Sequence, residues 1–572
     1  MLYPQANTHR QMLDLSGIWD FRFAESETED LSAGFDASRP IAVPASWNEQ
    51  FAEERDHLGP AWYQTRFTLP WGWEQHEIHL RFNSVNYLAD VWLNGEKLGQ
   101  HEGGHLPFGF RIHERVKTGE NLLVVRVDGQ LAFDRVPPGN IPPGRDSFSG
   151  FLRNHPAGAF DFYPYCGIQR PVIIYAKPKN GLSDLTVTTT LDGADGIVHI
   201  QTEHGLGDAV VRYHLHGHGA DITQEGGSAT DIRVPQAALW EPGAPNLYTL
   251  EVTLLRDEQA YDSYTLPVGI RTITVEGDRL LLNGKPVKLT GFGRHEDFPI
   301  AGRGLVPAVI VKDYELLNWI GANSFRTSHY PYSEQMMQLA DQLGFLVIDE
   351  IAAVGLYFGD EGTPRRLELC QQYLRELIAR DKNHPSVIMW SIANEPDSNH
   401  AEAEGFFRNL TELTRSLDAT RPVTLVNRMG IAEEKAFDFV DVVCLNRYNG
   451  WYAQSGRLDE AIPLLAQEID QYHEKYGKPI ILAEFGADTL PGHHAQPPEM
   501  FSEEYQAEML ARTIAMLDER PYVVGQHVWN MCDFKTSQGV IRTNGMNYKG
   551  VFTRDRRPKM AAHKLREIWK KS

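Results

Sequence analysis

Cysteine is scarce: Cys166, Cys370, Cys444 and Cys532 are the four in a chain of 572 residues, and none forms a CxxC pair. That excludes a disulfide scaffold and reads as buried free thiols in a reducing compartment. Long apolar runs are missing too, since no stretch approaches the ~20 residues of a membrane span. The N-terminus MLYPQANTHRQMLDL has no basic region followed by an apolar run, so no secretory leader is read and a cytoplasmic location is expected. Positive charge is in deficit: 55 Lys and Arg against 76 Asp and Glu give a net charge of -21. This argues against nucleic acid and anionic membranes as partners, because both reward a basic face. HExxH and clustered His/Cys spacing are absent, GFGRHEDF does not complete GxGxxG, and there is no phosphate loop. Neither a metal nor an organic cofactor is expected.

What remains is ordinary globular material, 42% hydrophobic and 23% charged, in a chain too long for one core. Three regimes divide it. Residues 1–178 carry short alternating runs (IWDFRFA, WYQTRFTLP, IHLRFNSV, LLVVRVDG) broken by turns such as Asn94-Gly95, which predicts a β-sandwich. The stretch VPPGNIPPGRDSFSG (136–150) is a long loop of the kind that carries function. Residues 179–271 repeat the strand pattern at the size of an immunoglobulin-like sandwich, without the Cys–Trp–Cys signature. From 272 to 572, apolar strands alternate with helical segments such as PAVIVKDYELLNWIG. The strands are VKLTGFG, NSFRTS, FLVIDEI, VIMWSIANE, PVTLVN, VVCLNRY, PIILAEFG and VGQHVWNMCDF, and this repeat predicts a TIM (β/α)8 barrel.

Barrel enzymes place their chemistry where the strands end. Here those ends are polar: His295, His329, Asp349-Glu350, Asn394-Glu395, Asn446-Arg447-Tyr448, Glu484 and Trp529-Asn530. Any one of them could be a salt-bridged rim residue; so many together point to a working site. Glu395 follows an apolar run and precedes Pro396, and Glu484 follows PIILA. Two carboxyl groups at one mouth are what glycoside hydrolysis requires. Separations of about 5–5.5 Å serve retention and about 6.5–9.5 Å inversion, a distance that sequence does not give.

The segments SIANEP, LAEFG, CLNRYNGWY, RTSHYPY and ARDKNHPS resemble glycoside hydrolase family 2, in its β-glucuronidase branch. The likeness runs from LSGIWDF to GVFTRDRRPK and implies a jelly-roll sandwich, an immunoglobulin-like sandwich and a catalytic barrel. It implies retention of configuration without a metal, Glu395 as acid/base and Glu484 as nucleophile. The charge of Glu484 is then expected to raise Glu395 and keep it protonated. By resemblance, Asn394 binds the sugar 2-hydroxyl and Tyr448 orients the nucleophile, with Asn446 beside it in the substrate site. Asn547-Tyr548-Lys549 matches the Asn-x-Lys grip on a uronic acid carboxylate, and Arg542 an arginine of the same loop. These cations answer the difficulty an acidic protein has in binding an acid, because screening confines the global field to roughly 8–10 Å. Asp161 matches a sandwich-domain aspartate that reaches sugar hydroxyls, His329 the histidine of HYPY, and Trp529 offers an apolar face to the sugar; His295 is a weaker rim candidate.

The stretch YFGDEGTPRRLELCQQ after strand three is short and polar, resembling loop-poor bacterial members with an open mouth that accepts bulky aglycones. The expected substrate is a small-molecule or oligosaccharide glucuronide. A β-galacturonidase differs only at the 4-hydroxyl, a β-galactosidase would leave Arg542 and Lys549 without a role, and a non-catalytic carbohydrate-binding protein would not need both glutamates. The family also implies a homo-oligomer, a tetramer or dimer.

Overall fold

The computed structural model describes residues 2–36, 39–141, 154–207 and 209–570. Most of the loop read at 136–150 therefore lies outside the described residues. The first sandwich packs a four-stranded sheet (Gln11–Asp14, Val172–Lys177, Glu77–Phe82, Phe108–Arg111) on a six-stranded one. Alternation puts Trp19, Phe21, Tyr63, Val91, Val125 and Ile174 between the sheets. The second sandwich is smaller, with sheets of three and four strands around Val198, Tyr213, Leu250 and Val252.

Eight parallel strands then close a barrel: β1 Leu289–Gly293, β2 Ser324–Arg326, β3 Leu346–Glu350, β4 Val387–Asn394, β5 Val423–Asn427, β6 Val442–Asn446, β7 Ile480–Glu484 and β8 Val523–Val528. Each lies within, or one residue from, the run expected for it. The last differs most: β8 stops at Val528, and Phe534–Lys535 forms a separate short strand with Met546–Asn547. Gly291 permits the close approach of β1 and β2, since a Cβ there would lie 1.8 Å from the Ser324 carbonyl oxygen. At the lower end a three-stranded sheet and Trp240 seal the barrel with Ile273, Leu280 and Leu282. The stretch after β3 is not all loop: Thr363–Asp381 is helix, so TPRRLELCQQ supplies its first turns, Pro364 in the first turn and Arg366 locked on Asp360. Among the described residues no helix is long and apolar enough to cross a membrane.

The first sandwich reaches the barrel mouth. Phe160 and Phe162 join the barrel's own apolar core, and the Tyr163 N–H donates to the Lys535 carbonyl at 3.0 Å. Asp161, between those two phenylalanines in sequence, is thereby fixed at the rim.

Candidate active site

Arg326, which ends β2, has no exposed surface. A buried guanidinium must be paired, and this one gathers the strand ends around itself. It donates to Glu350 Oε1 at 2.7 Å, to Asn394 Oδ1 at 3.4 Å, to His329 Nδ1 at 3.0 Å and, through Nη2, to Glu484 Oε1. His329 Nδ1 lies 3.0 Å from both Arg326 Nη1 and Glu350 Oε1, and its Nε2 is 3.5 Å from Glu484 Oε1. Burial, then the Arg326 charge, hold His329 well below the usual histidine range, so its ring is neutral. Trp529 stacks on that ring at 4.9 Å, with 17° between the planes, so one face of the indole is covered.

Glu484 closes β7 with 4% of its side chain exposed. Its Oε2 accepts from the Tyr448 hydroxyl at 2.6 Å. Burial and then the nearby Tyr448-side carboxylates keep that phenol protonated, its donor role fixed. Glu395 stands one residue past β4 at φ +48°, a left-handed conformation that is strained for a non-glycine residue and concentrates at functional sites. Asn446 Nδ2 donates to Glu395 Oε1 at 2.8 Å and to Asn394 Oδ1 at 3.2 Å, and Asn446 is the register partner of Glu484. One residue therefore links the two strand ends that carry the glutamates, by its side chain to Glu395 and by strand pairing to Glu484. Arg428 Nε lies 3.7 Å from Glu395 Oε2.

Glu484 carries an upward pKa shift. Burial pushes it up to about 8 and Glu395 adds to this, while Arg326 and the Tyr448 hydroxyl oppose it. The cause is depth, since only 4% of the Glu484 side chain is exposed. Both oxygens of Glu484 already accept, from Arg326 and Tyr448, so protonating it sacrifices a bond.

Beside this pair lies a second constellation drawn from two domains. Arg542 binds Asp161 in a fork, Nε to Oδ1 at 2.7 Å and Nη2 to Oδ2 at 2.5 Å, and Asn547 Nδ2 donates to the same aspartate at 2.7 Å. Lys549, 1% exposed, donates to Asp488 and to the Tyr452 hydroxyl, the latter at 2.9 Å. Tyr452 also accepts from Arg542 at 3.1 Å. Burial opposes the Arg542 charge, and Asp161, Tyr452 and Asp488 more than offset it. Burial likewise works against the Asp488 carboxylate, and Lys549 and Arg542 hold it below the usual range. The two cations are thus matched by two carboxylates, and donors remain. Arg542 Nη1 has no hydrogen-bond partner among the described residues, and an ammonium with three N–H bonds has spent two. Lys549 Nζ is 5.6 Å from the centre of the Tyr448 ring, whose hydroxyl touches Glu484, so the two constellations share a wall.

Glu395, Glu484, Asn394, Asn446, Tyr448, His329 and Trp529 therefore form one cluster, and Asp161, Arg542, Asn547 and Lys549 an adjoining one. His295 does not reach the rim. Its Nδ1 contacts the Tyr330 hydroxyl at 3.0 Å, its ring packs on Phe534 at 4.3 Å and Trp529 at 5.3 Å, and burial drives it well below the usual histidine range. Sequence reasoning missed Arg326, Tyr452 and Asp488, although they stand inside the quoted runs NSFRTS and CLNRYNGWY and just after LAEFG.

Comparison with known proteins agrees with this architecture. The family models "Glycosyl hydrolases family 2, sugar binding domain", "Glycosyl hydrolases family 2" and "Glycosyl hydrolases family 2, TIM barrel domain" match residues 12–178, 180–271 and 273–572. A beta-glucuronidase of Paenibacillus borealis is 41% identical, covering 100% of this chain and 98% of its own. A beta-glucuronidase of an uncultured Clostridium sp. superposes with a TM-score of 0.94 at 41% identity, covering 100% of both chains. The Bifidobacterium dentium beta-glucuronidase complexed with coumarin-3-O-glucuronide gives 0.95 at 39% identity, over 100% of this chain and 98% of that one. With all three models matched in order along its length, this chain is a member of glycosyl hydrolase family 2.

Proposed function

We propose that the chain is a retaining β-glucuronidase that removes terminal β-D-glucuronosyl groups. The observation that carries this is the unspent donors of Arg542 and Lys549, with Lys549 beside the Tyr448–Glu484 pair: a neutral sugar offers them only hydroxyl oxygens, whereas a uronic acid carboxylate accepts charge-assisted hydrogen bonds.

In this reading Glu484, ionised and steadied by Arg326 and Tyr448, attacks the anomeric carbon while Glu395 protonates the departing oxygen. The glycosyl ester removes the charge on Glu484, and Glu395 then draws a proton from the water that opens it. Asn394 and Asn446 meet the 2-hydroxyl side, Asp161 the hydroxyls at the far edge, and Trp529 walls the ring. No residue role here needs a metal or cofactor. The stretch 351–362, the short link from β3 to its helix, supports a mouth open to bulky aglycones. Four free buried cysteines suit a cytoplasmic location, and a homo-oligomer, tetramer or dimer, completes the proposal.

The test is a panel of 4-nitrophenyl β-glucuronide, β-galacturonide and β-galactoside with Glu484→Gly. Turnover should favour the glucuronide, vanish in the variant, and return in part with azide as an α-glucuronosyl azide. Azide without effect removes the nucleophile assignment; preference for the galactoside removes the substrate.

A further inference from the structure

The second sandwich carries a cluster that the glycosidase reading does not use. Strands Val210–Gly217 and Tyr248–Arg256 are the two inner strands of its four-stranded sheet. Residues i and i+2 of a strand share a face, so His214 and His216 both stand on the outer one, their rings 4.8 Å apart. Glu251 is the register partner of His214 and diagonal to His216. His214 Nδ1 lies 3.5 Å from Glu251 Oε2, and His216 Nε2 lies 3.6 Å from Glu251 Oε1. These gaps exceed a normal hydrogen bond. They match the edge of a tetrahedral zinc site, where metal–nitrogen and metal–oxygen bonds of about 2.0–2.2 Å set N and O about 3.4 Å apart.

A further contact orients the first ligand. His214 Nε2 meets Asp221 Oδ1 at 2.8 Å. A proton held there leaves the Nδ1 lone pair facing Glu251, and a carboxylate on the far nitrogen of a ligating histidine is the usual second partner of such sites. No Lys or Arg pairs with Glu251 among the described residues. All three ligand atoms lie within 4.8 Å of one another, and solvent can supply a fourth.

We propose that His214, His216 and Glu251 bind a divalent transition metal ion, Zn²⁺ or one of similar preference, clipping the two inner strands of this sheet. The site is structural and independent of catalysis. Two imidazoles and one carboxylate favour such an ion over Mg²⁺ or Ca²⁺, which take oxygen ligands.

The test is calorimetric titration of the EDTA-stripped full chain with Zn²⁺, with unfolding midpoints measured with and without the ion. The chain should bind one more equivalent than His216→Gln or Glu251→Gln, and Zn²⁺ should raise the midpoint of the parent alone. Asp221→Asn keeps the ligands and should weaken binding about 10–100-fold. Equal stoichiometry and equal midpoints in parent and variants overturn the proposal. Midpoints in EDTA reveal any variant with a damaged fold, and Asp221→Asn, altering only an exposed acid, then decides the matter.

Discussion

The two halves of the candidate active site are built differently. The glutamate pair and Arg326 sit at the ends of barrel strands, whose register fixes them: Asn446 pairs with Glu484, and β4 delivers Asn394 and Glu395 together. The half proposed to read the carboxylate is assembled from loops, with Asp161 from the first sandwich and Arg542, Asn547 and Lys549 from the segment beyond β8. Strand ends hold reacting groups rigidly and loops vary freely. The expectation is that damage to the first half lowers kcat on every substrate, while damage to the second erases the distinction between a uronide and a neutral sugar.

The largest effect belongs to the proposed nucleophile. Glu484→Ala should reduce kcat/KM on the order of 10⁴–10⁶-fold, and equally for 4-nitrophenyl glucuronide and the matching glucoside. Arg326→Met comes next and tests whether the strand-end half is one unit. Removing a wholly buried guanidinium leaves Glu350 and Glu484 without their cation, a loss of about 3–5 kcal/mol that denaturant titration would register. Activity should fall about 10³-fold on both sugars. Undiminished turnover would show that Glu484 needs no cation.

How much of this could be read beforehand follows the same division. The barrel was legible because each strand is a short apolar run ending in a polar residue, and both glutamates stood at such ends. Strand β8 was overread, since Trp529–Phe534 is as apolar as a strand but leaves the barrel to wall the site. Arg326 was invisible for the opposite reason: one charge in NSFRTS looks like a surface position until β3, β4 and β7 close around it. His295 was misplaced because polarity after a strand suggests a rim, whereas Tyr330 and Phe534 enclose it. Asp161 and the Asn-x-Lys run were found by resemblance alone, because a contact between domains leaves no local pattern. Nothing in sequence pointed to Asp488 as partner of Lys549, nor to Glu251 lying across from His214.

Lys549→Ala is the sharpest test of the loop half. It should lower kcat/KM for the glucuronide about 10²-fold, mostly through KM, and change the glucoside value far less. Asp161→Asn should cost about tenfold, because Arg542 loses its fork while keeping Tyr452 and Asp488 within reach. Equal losses on both sugars in both variants would mean that the loop half does not read the carboxylate.

The smallest expected effect separates the halves by pH. Glu484 must be ionised to attack, so activity is gained as pH rises through its pKa, which burial pushes up to about 8. The groups acting on Glu484 are Arg326 and the Tyr448 hydroxyl, which lower it, and Glu395, which raises it, with burial the largest cause of its elevation. Tyr448→Phe removes a lowering contact, so the acid limb of kcat/KM should move to higher pH, while Lys549→Ala, on the loops, should leave it in place. A limb that moves down in Tyr448→Phe would mean that the phenol does not steady the ionised carboxylate, and the division between a strand half that sets the chemistry and a loop half that reads the sugar would fall with it.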